Sequence, residues 1–218
     1  MTLRSDPYLI LLGGDLSVTE RLKTSIEGAR VIAADGGMRH APALGIIPEL
    51  WVGDFDSVTP ELVSRFANVE RRPFPPAKNE TDCEIAVSHA LKAGARNLIL
   101  AGALGGERTD HAFSHLTYSL ALMQSGLEVR LTSGEEEAFP MGAGPRTYDL
   151  PKGSLFSILG LSELKGLTIE GARYPLCRFH APFGATRTIS NVADGPVTVS
   201  LQSGAAILLA RPYDFSGA

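Results

Sequence analysis

The strongest constraint on the fold is a regular alternation that runs along the chain as far as about residue 133. Short apolar runs, each of the length of a buried strand, alternate with segments whose apolar residues recur at helical spacing. The apolar runs are YLILL, VIAA, LWV, NLILAGAL and LEVRLT. Because parallel strands need helical crossovers between them, this pattern predicts an α/β domain with a doubly wound, mostly parallel sheet and helices on both faces.

The rest of the chain has a different pattern. The segment EEEAFPMGAGPRTYDLP interrupts the alternation with acidic residues, glycine and proline. Beyond it, short runs rich in β-forming residues are separated by glycine turns: GSLFSILGL, LKGLTIEG, TRTISNVA, GPVTVSLQSG and AAILLARP. These runs predict a smaller all-β sandwich. We therefore predict two domains, an α/β domain over residues 1–135 and a β-sandwich domain over residues 136–218.

Composition and charge limit the classes of partner. The chain of 218 residues is 44% hydrophobic, and its 20 basic and 24 acidic residues give a net charge of -4. No overall positive field attracts nucleic acid or anionic lipid, so we expect neither as a partner. The opening apolar run is too short to span a membrane. Cys83 and Cys177 lie far apart without a CxxC or histidine-rich companion, which favours a reducing cytoplasm.

Polar and glycine residues follow four of the apolar runs of the predicted sheet. In open α/β sheets, ligands bind in the crevice beyond the carboxyl ends of the strands. The four segments that follow apolar runs are Gly13-Gly14-Asp15, Asp35-Gly36-Gly37, Gly53-Asp54-Phe55-Asp56-Ser57 and Gly105-Gly106-Glu107-Arg108-Thr109-Asp110-His111. If the strand order brings these ends together, one cleft holds several glycines, several carboxylates and an arginine.

Two of these carboxylates, Asp54 and Asp56, are separated by one residue. On an extended chain they would project to the same side and place two like charges close together, which is unfavourable unless a cation lies between them. Hard carboxylate oxygens of this kind suit Mg²⁺. A turn closed by an aspartate side chain is the alternative for this pair, and Thr59-Pro60 would then start a helix well. We favour metal binding for the pair, whereas Asp35 followed by glycine, taken alone, favours a turn.

The segment around Asp82 predicts a helix over about residues 81–93. Thr81 and Glu84 have the spacing of a capping box. Asp82, in the first helical turn, would lie near the positive end of the helix dipole. It could equally face the cleft as a third metal carboxylate, and the local sequence leaves both interpretations open.

The glycine pair Gly105-Gly106 precedes another predicted helix. Paired glycines at such a position let backbone N–H groups approach an anion, and Arg108 can add a charge-assisted contact. Asp110 could cap the helix. The sequence indicates no unique general base, and Asp110 and Asp82 are both candidates. His111 is more often a helix-start residue with a local partner than a proton shuttle. No Walker GxxxxGK[ST] motif occurs in the chain, so a P-loop kinase is disfavoured.

Taken in order, these segments resemble the thiamine pyrophosphokinase family. The resemblance consists of ADGG, GDFDS, K-x-x-TDxE and GGxRxDH, followed by a β-rich tail with TRTISN and a GxxILLARP-like strand, and it covers nearly the whole chain. It implies transfer of a diphosphoryl group from ATP to the thiamine hydroxyl, giving thiamine diphosphate and AMP. It also implies Mg²⁺ dependence and a homodimer with the thiamine site at the dimer interface.

The resemblance also implies roles for individual residues. Metal ligation falls to Asp54, Asp56 and Asp82. Nucleotide binding and phosphate contacts fall to Asp35, Gly36, Gly105, Gly106 and Arg108. Contacts to substrate fall to Asp110, Ser190 and Asn191. The residues expected to act in catalysis are Asp54, Asp56, Asp82, Arg108 and Asp110.

The chain departs from the family pattern at three positions. Asn79 replaces an aspartate that is common in the family, Glu107 is inserted between the glycine pair and the arginine, and Val192 follows SN where a glutamate is frequent. All three expected metal carboxylates are retained, so we expect an active enzyme.

Two other functions fit parts of the sequence. A DxD-type nucleotide-sugar transferase also uses a metal-binding DxD after a strand. A non-catalytic thiamine or nucleotide sensor would tolerate Asn79 and the inserted Glu107. The aromatic side chain that would stack on thiamine is left open among Trp51, Phe179 and Phe183.

Overall fold

The computed structural model describes residues 7–56, 58–75 and 80–217. Asn79, one of the departures noted above, lies outside the described residues. The chain divides into two compact units. The α/β unit extends to His115 and includes Gly126–Gly134, and the β-rich unit contains Leu116–Ser125 and the chain from Glu135 onward.

The α/β unit is built from strands and short helices in alternation. Its strands are β1 (Tyr8–Leu11), β2 (Arg30–Ala34), β3 (Leu50–Gly53), β4 (Glu70–Pro73), β5 (Asn97–Ala101) and β6 (Glu128–Thr132). Its helices are α1 (Glu20–Ser25), a 3-10 helix (Asp35–His40), α2 (Ala41–Leu44), α3 (Pro60–Arg65) and α4 (Asp82–Lys92), and α5 (Thr109–Gln124) begins in this unit.

The sheet of the α/β unit has the order β6-β5-β1-β2-β3-β4, and all of these neighbouring pairs are parallel. In its centre, Leu9 of β1 pairs with Val31 of β2 on one side and with Ile99 of β5 on the other. The direction in which successive strands are added therefore reverses beside β1. Ligand crevices form at such a reversal, beyond the carboxyl ends of the strands.

Both faces of β1 are buried. Leu9 and Leu11 pack in one cluster with Leu22 of α1 and with Phe66, which follows α3. Ile10 is completely buried and points to the opposite face, because successive strand residues alternate. Burying each such side chain contributes about 1.5–3 kcal/mol. The carboxyl ends of the strands therefore extend from a sheet whose central strand is packed on both faces.

The predicted helix starts of this unit are confirmed. Thr59 accepts a hydrogen bond from the Leu62 N–H, and Pro60 occupies the first helical position of α3. Thr81 and Glu84 form the capping box of α4, with the Glu84 N–H donating to Thr81 Oγ1 at 3.2 Å and the Thr81 N–H donating to Glu84 Oε2 at 2.7 Å. The capping box fixes Asp82 as the first residue of α4.

The β-rich unit consists of antiparallel strands. They are β7 (Glu137–Met141), β8 (Gly144–Tyr148), β9 (Leu155–Gly160), β10 (Leu164–Ala172), β11 (Leu176–Ala181), β12 (Asn191–Leu201) and β13 (Ala206–Arg211). Neighbouring strands follow the order β7-β13-β9-β12-β10-β11, and β8 also pairs with β12. The core of this unit is filled by large apolar side chains such as Phe156, Ile158, Leu167 and Leu208.

Several features of the sequence pattern were misread. Strand β11 was not predicted, and the predicted run TRTISNVA is strand only from Asn191 onward. The segment treated as an interruption, EEEAFPMGAGPRTYDLP, forms β7 and β8. Its prolines and acidic residues mask the strand pattern, although Glu137 is buried and Pro140 pairs with Ile207. Strand β4 was not predicted either, because its residues, ERRP, are all exposed and carry no apolar alternation. Among the described helices, none has the length and apolar character that a membrane crossing requires.

Candidate active site

A cavity of about 510 Å³ opens at the carboxyl edge of the parallel sheet, within the α/β unit. Its walls come from the segments that follow β1, β2 and β5, and from the start of α4. Six of the residues to which the family resemblance assigns roles line the cavity: Asp35, Gly36, Asp82, Gly105, Gly106 and Arg108. The strand order thus brings together residues as far apart in the sequence as Asp35 and Arg108.

Two glycines allow the loops around the cavity to approach one another closely. A Cβ atom on Gly14 would lie 2.5 Å from the carbonyl oxygen of Gly102. A Cβ atom on Gly37 would lie 2.1 Å from the carbonyl oxygen of Leu11. Neither distance is compatible with a side chain, so the packing of the loops requires glycine at both positions.

Three carboxylates meet beside this cavity. Asp35, Asp54 and Asp56 each offer a carboxylate oxygen, and these oxygens lie within 4.8 Å of one another. Asp35 has a left-handed backbone, with φ of 42°, and its carbonyl oxygen accepts a 2.9 Å hydrogen bond from Trp51 Nε1. A Cβ atom on Gly53 would lie 3.0 Å from the Asp35 Cα and Cβ atoms. Gly53 therefore lets β3 approach Asp35 closely enough to form the cluster.

The local geometry of the Asp54–Asp56 pair differs from the extended chain assumed above. Phe55 is left-handed, with φ of 62°, and the Asp56 N–H donates to Asp54 Oδ1 at 3.2 Å. The Phe55 ring packs edge-on against Trp51, with 5.1 Å between centroids. The turn, which was the alternative to metal binding for this pair, is therefore present, and the two carboxylates still lie close enough together to share a cation.

The electrostatics of this cluster are repulsive. The pKa of Asp56 is raised, chiefly by the negative charge of Asp54 and by its hydrogen bond to Asp54, with smaller contributions from burial, Asp35 and Asp82. Like charges that raise a carboxyl pKa disfavour the ionised state. A bound cation would reverse this effect, so the cluster has the donor atoms and the charge of a divalent-metal site.

Asp35 and Asp82 both line the cavity. Asp35, which the resemblance assigns to the nucleotide phosphates, is also a member of the carboxylate cluster. Asp82 lines the cavity, and its charge contributes to the raised pKa of Asp56, but it lies outside the group of three. The signal for Asp35 was its position directly after β2, at the same sheet edge as the carboxylate pair after β3.

Arg108 and Asp110 bind each other. Arg108 Nε donates to Asp110 Oδ1 at 2.9 Å, and Nη2 donates to Oδ2 at 2.7 Å. Both side chains are largely exposed, at 65% and 66%. The hydrogen bond from Arg108 is the main reason that the pKa of Asp110 is lowered. Asp110 lies in the first turn of α5 and is a weak proton acceptor in this arrangement.

Sequence reasoning missed two basic side chains at the cavity. Arg39, from the 3-10 helix after β2, lines the cavity and donates to the carbonyl oxygens of Gly13 and Gly14. His115 of α5 also lines it, and its Nδ1 lies 3.1 Å from the Ala103 carbonyl oxygen. Burial lowers the pKa of His115. Neither residue belongs to a recognisable motif, so only its position near a strand end could have indicated it.

The predicted thiamine-contacting residues lie in the β-rich unit. The Asn191 side chain is buried, accepts from the Tyr174 and Val192 N–H groups and donates to the Tyr174 carbonyl oxygen. This amide therefore supports the local backbone. Ser190 is exposed and left-handed, with φ of 59°, and its N–H donates to Ser157 Oγ at 3.0 Å.

The three aromatic candidates for stacking differ in accessibility. Trp51 is completely buried in the α/β core and holds Asp35, so its ring faces no ligand. Phe179 is half-buried, with the Arg187 guanidinium 5.1 Å from its ring centroid. Phe183 is 73% exposed. Of the three, Phe183 offers the most accessible ring.

Comparisons with known proteins agree with the sequence resemblance. Residues 23–131 match the family model for the thiamin pyrophosphokinase catalytic domain, and residues 145–206 match the model for its vitamin B1 binding domain. The thiamine pyrophosphokinase of Bacillus subtilis (strain 168) is 30% identical over 168 residues, which cover 73% of this chain and 76% of that protein.

Solved structures share the fold. The crystal structure of thiamine pyrophosphokinase from Bacillus subtilis superposes with a TM-score of 0.84 at 24% identity, covering 94% of this chain and 98% of that chain. A thiamin pyrophosphokinase family protein from Enterococcus faecalis gives 0.80 at 22% identity, covering 96% and 100%. Thiamin pyrophosphokinase from Candida albicans gives 0.78 at 14% identity, covering 94% and 90%. By its sequence matches, this chain belongs to the thiamine pyrophosphokinase family.

Proposed function

We propose that this protein transfers the diphosphoryl group of ATP to the hydroxyl group of thiamine, producing thiamine diphosphate and AMP. The observation that carries the proposal is the cluster of Asp35, Asp54 and Asp56 beside a glycine-walled cavity, in a chain of this family. A carboxylate cluster for a cation and a glycine-rich wall for phosphates are the two parts that a metal-assisted phosphoryl transfer needs.

The carboxylate cluster fits Mg²⁺. Asp54 and Asp56 are the ligands expected from the sequence, and Asp35 supplies a third oxygen within 4.8 Å of theirs. Asp82, at the cavity wall, stays our proposed further carboxylate for the metal or for a water bound to it. When bound there, Mg²⁺ would neutralise the developing charge on the phosphate oxygens.

The cavity wall supplies groups for the ATP phosphates. Gly36, Gly105 and Gly106 line it without side chains, so their backbone can approach an anion closely. Arg108 lines it as well, and its ion pair with Asp110 is exposed. Exposed ion pairs contribute little, so a phosphate can displace the Asp110 carboxylate at small cost and gain a bidentate contact.

The reaction is the attack of the thiamine hydroxyl oxygen on the β-phosphorus of ATP. The new oxygen–phosphorus bond forms as the bond from the β-phosphorus to the AMP oxygen breaks. In our proposal, this chain positions the two reactants in line and stabilises the charge that spreads over the phosphoryl oxygens. Asp110, whose pKa is lowered, is a poor base while it pairs with Arg108, and a loose transition state needs little base assistance.

We also propose that thiamine binds through the β-rich unit at the interface of a homodimer. Large exposed apolar side chains of this unit support an interface: Tyr174, Phe183, Ile189, Tyr213 and Phe215. Ser190 is exposed and accessible to a ligand. Asn191 is proposed to act indirectly, by shaping the backbone next to Ser190.

The finer points of organisation are proposals of the same kind. We propose domains over residues 1–135 and 136–218, the first a doubly wound sheet with helices on both faces and the second a β-sandwich. The buried faces of β1 and the antiparallel pairing of β13 with β7 and β9 support this division. A cytoplasmic location is supported by the free thiols of Cys83 and Cys177.

A product assay tests the function directly. The purified protein is incubated with ATP, Mg²⁺ and thiamine, and AMP, ADP and thiamine phosphates are separated by chromatography. We expect AMP and thiamine diphosphate in equal amounts, and neither after addition of EDTA. ADP with thiamine monophosphate would contradict the proposed bond cleavage. Thiamine binding without any product would favour a sensor, and turnover of a sugar nucleotide would favour a DxD-type transferase.

A further inference from the structure

Gly14 is the point at which three loops of the cavity wall meet. Its N–H donates to the carbonyl oxygen of Gly102, after β5, at 3.0 Å. Its own carbonyl oxygen accepts from Arg39 Nη2 at 3.0 Å and lies 2.9 Å from His40 Nε2. A Cβ atom on Gly14 would lie 3.3 Å from the Gly105 carbonyl oxygen. A shift of Gly14 would therefore move the wall on the β1, β2 and β5 sides together.

His40 contacts the Gly14 carbonyl oxygen from outside the cavity. It is the last residue of the 3-10 helix after β2, it is half-buried, and it is not among the residues that line the cavity. Because a carbonyl oxygen can only accept, Nε2 must carry the proton in its contact with Gly14. The pKa of His40 is lowered by burial, which outweighs the opposing effect of the Gly14 and Leu12 carbonyl groups.

Arg39, unlike His40, lines the cavity. Its guanidinium group contacts the same loop but also lines the cavity, so a substitution there would change both the loop and the surface that a ligand meets. The His40 side chain contacts Gly14 without lining the cavity. Its removal therefore leaves the cavity-lining side chains in place and takes away a contact to the Gly14 loop.

We propose that His40 is a positioning residue for ATP: its Nε2–H group fixes the Gly14 loop so that the cavity wall fits the triphosphate. This inference rests on the proposed function, because it takes the cavity to be the ATP site. It does not depend on turnover, since it concerns the shape of the wall before any reaction.

The test compares two substitutions of nearly equal size. His40→Leu removes the donor, whereas His40→Gln can place an amide N–H near the position of Nε2. Binding is measured calorimetrically, with Mg²⁺, for an ATP analogue that carries a methylene group between the α- and β-phosphorus and so cannot transfer its diphosphoryl group. We expect His40→Leu to weaken binding about fivefold to tenfold, the loss typical of one hydrogen bond, and His40→Gln to restore it.

Steady-state kinetics add a second readout. The KM for ATP should rise in His40→Leu in step with the analogue Kd, while the KM for thiamine stays at the wild-type value. A general loss of structure would change both constants. The matched control is His89→Leu, which removes another histidine hydrogen bond of the α/β unit, the 3.2 Å contact between Arg72 Nη1 and His89 Nδ1, away from the cavity lining.

Several outcomes would overturn the inference. Wild-type affinity in His40→Leu would show that the contact with Gly14 is dispensable, and equal weakening in His40→Gln would show that only the packing of the ring matters. If His40→Leu does not fold, His40→Gln is compared with His40→Asn, whose shorter amide cannot reach Gly14, and equal affinities again reject the proposal. If the wild-type protein does not bind the analogue, both this inference and the ATP site fail. Analogue binding without AMP production would reject only the reaction.

Discussion

Two charged clusters at the same sheet edge behave in opposite ways. The carboxylate cluster after β2 and β3 contains like charges, and the negative charge of Asp54 raises the pKa of Asp56. The pair formed by Arg108 and Asp110 is internally neutral, and it lowers the pKa of Asp110. The like charges of the first cluster repel one another, and in our proposal a bound cation relieves this repulsion, whereas the charges of the second cluster already balance. A ligand that carries both Mg²⁺ and phosphate groups would complete the first cluster and open the second.

The contrast between the two clusters is tested most strongly by neutralising one carboxylate of the first cluster. We expect Asp54→Asn and Asp56→Asn to lower kcat/KM for diphosphoryl transfer about 10²- to 10³-fold, because a metal ligand that stabilises transition-state charge is lost. The melting temperature should stay the same or rise. The amide introduced by Asp54→Asn keeps an oxygen that can accept the Asp56 N–H, and either change relieves repulsion.

The matched control for these two variants is Glu61→Gln, which removes an exposed carboxylate from the first turn of α3. Its activity should equal that of the wild-type protein. The comparison is measured by AMP formation together with thermal unfolding. Unfolding of both aspartate variants at ordinary temperature would instead show that the cluster exists to build the turn.

The second cluster should respond less strongly. We expect Arg108→Gln to lower kcat/KM for ATP about 100-fold through loss of a cation at the phosphates, with Arg108→Lys intermediate because it keeps the charge but not the two-pronged contact. Arg65→Gln, on α3, serves as the control for loss of an exposed arginine. Full activity in Arg108→Gln would show that the pair of Arg108 with Asp110 is a surface ion pair without a role in the reaction.

Metal binding without nucleotide provides a milder probe. Mg²⁺ at ten times its Kd would stabilise the wild-type protein by about 1.4 kcal/mol, which corresponds to a rise of about 3–6 °C in melting temperature. Asp35→Asn should abolish this rise, and Asp110→Asn should retain it. An equal response of the two variants would mean that the cation binds somewhere other than the carboxylate cluster.

These predictions also show how far the sequence alone could lead. The alternating strand and helix segments and the carboxylate pair follow from local patterns, since each depends on residues that are close together in the chain. Membership of Asp35 in the cluster was not predicted: its position after β2 was a signal, but the close approach also depends on the Trp51 hydrogen bond and the missing side chain of Gly53. The pairing of Arg108 with Asp110 was missed for a different reason, since each was assigned to a ligand before its partner within the chain was considered.

The strands and the basic residues escaped prediction for separate reasons. Strand β4 and strand β8 consist largely of exposed residues, so neither carries the apolar pattern on which a sequence-based assignment depends, whereas the mostly buried β7 is masked by its proline and acidic residues. Arg39 and His40 act on the carbonyl oxygen of Gly14, 25 and 26 residues away. Hydrogen bonds from side chain to backbone over such distances leave no repeat or motif in the sequence.

The smallest expected effect separates the second cluster from any role in folding. Asp110→Asn should lower the melting temperature only slightly near pH 7, because exposed ion pairs contribute little. A carboxyl group whose folded pKa lies below its ordinary 3.8 stabilises the fold above that value, and the contribution is lost as the pH falls through the folded pKa. The small difference between wild type and Asp110→Asn should therefore persist from pH 7 to about pH 4 and vanish in stronger acid, as measured by thermal unfolding along a pH series. A melting-temperature difference that grows in acid would show that the pKa of Asp110 is not lowered in the folded protein. The electrostatic contrast between the two clusters would then be wrong.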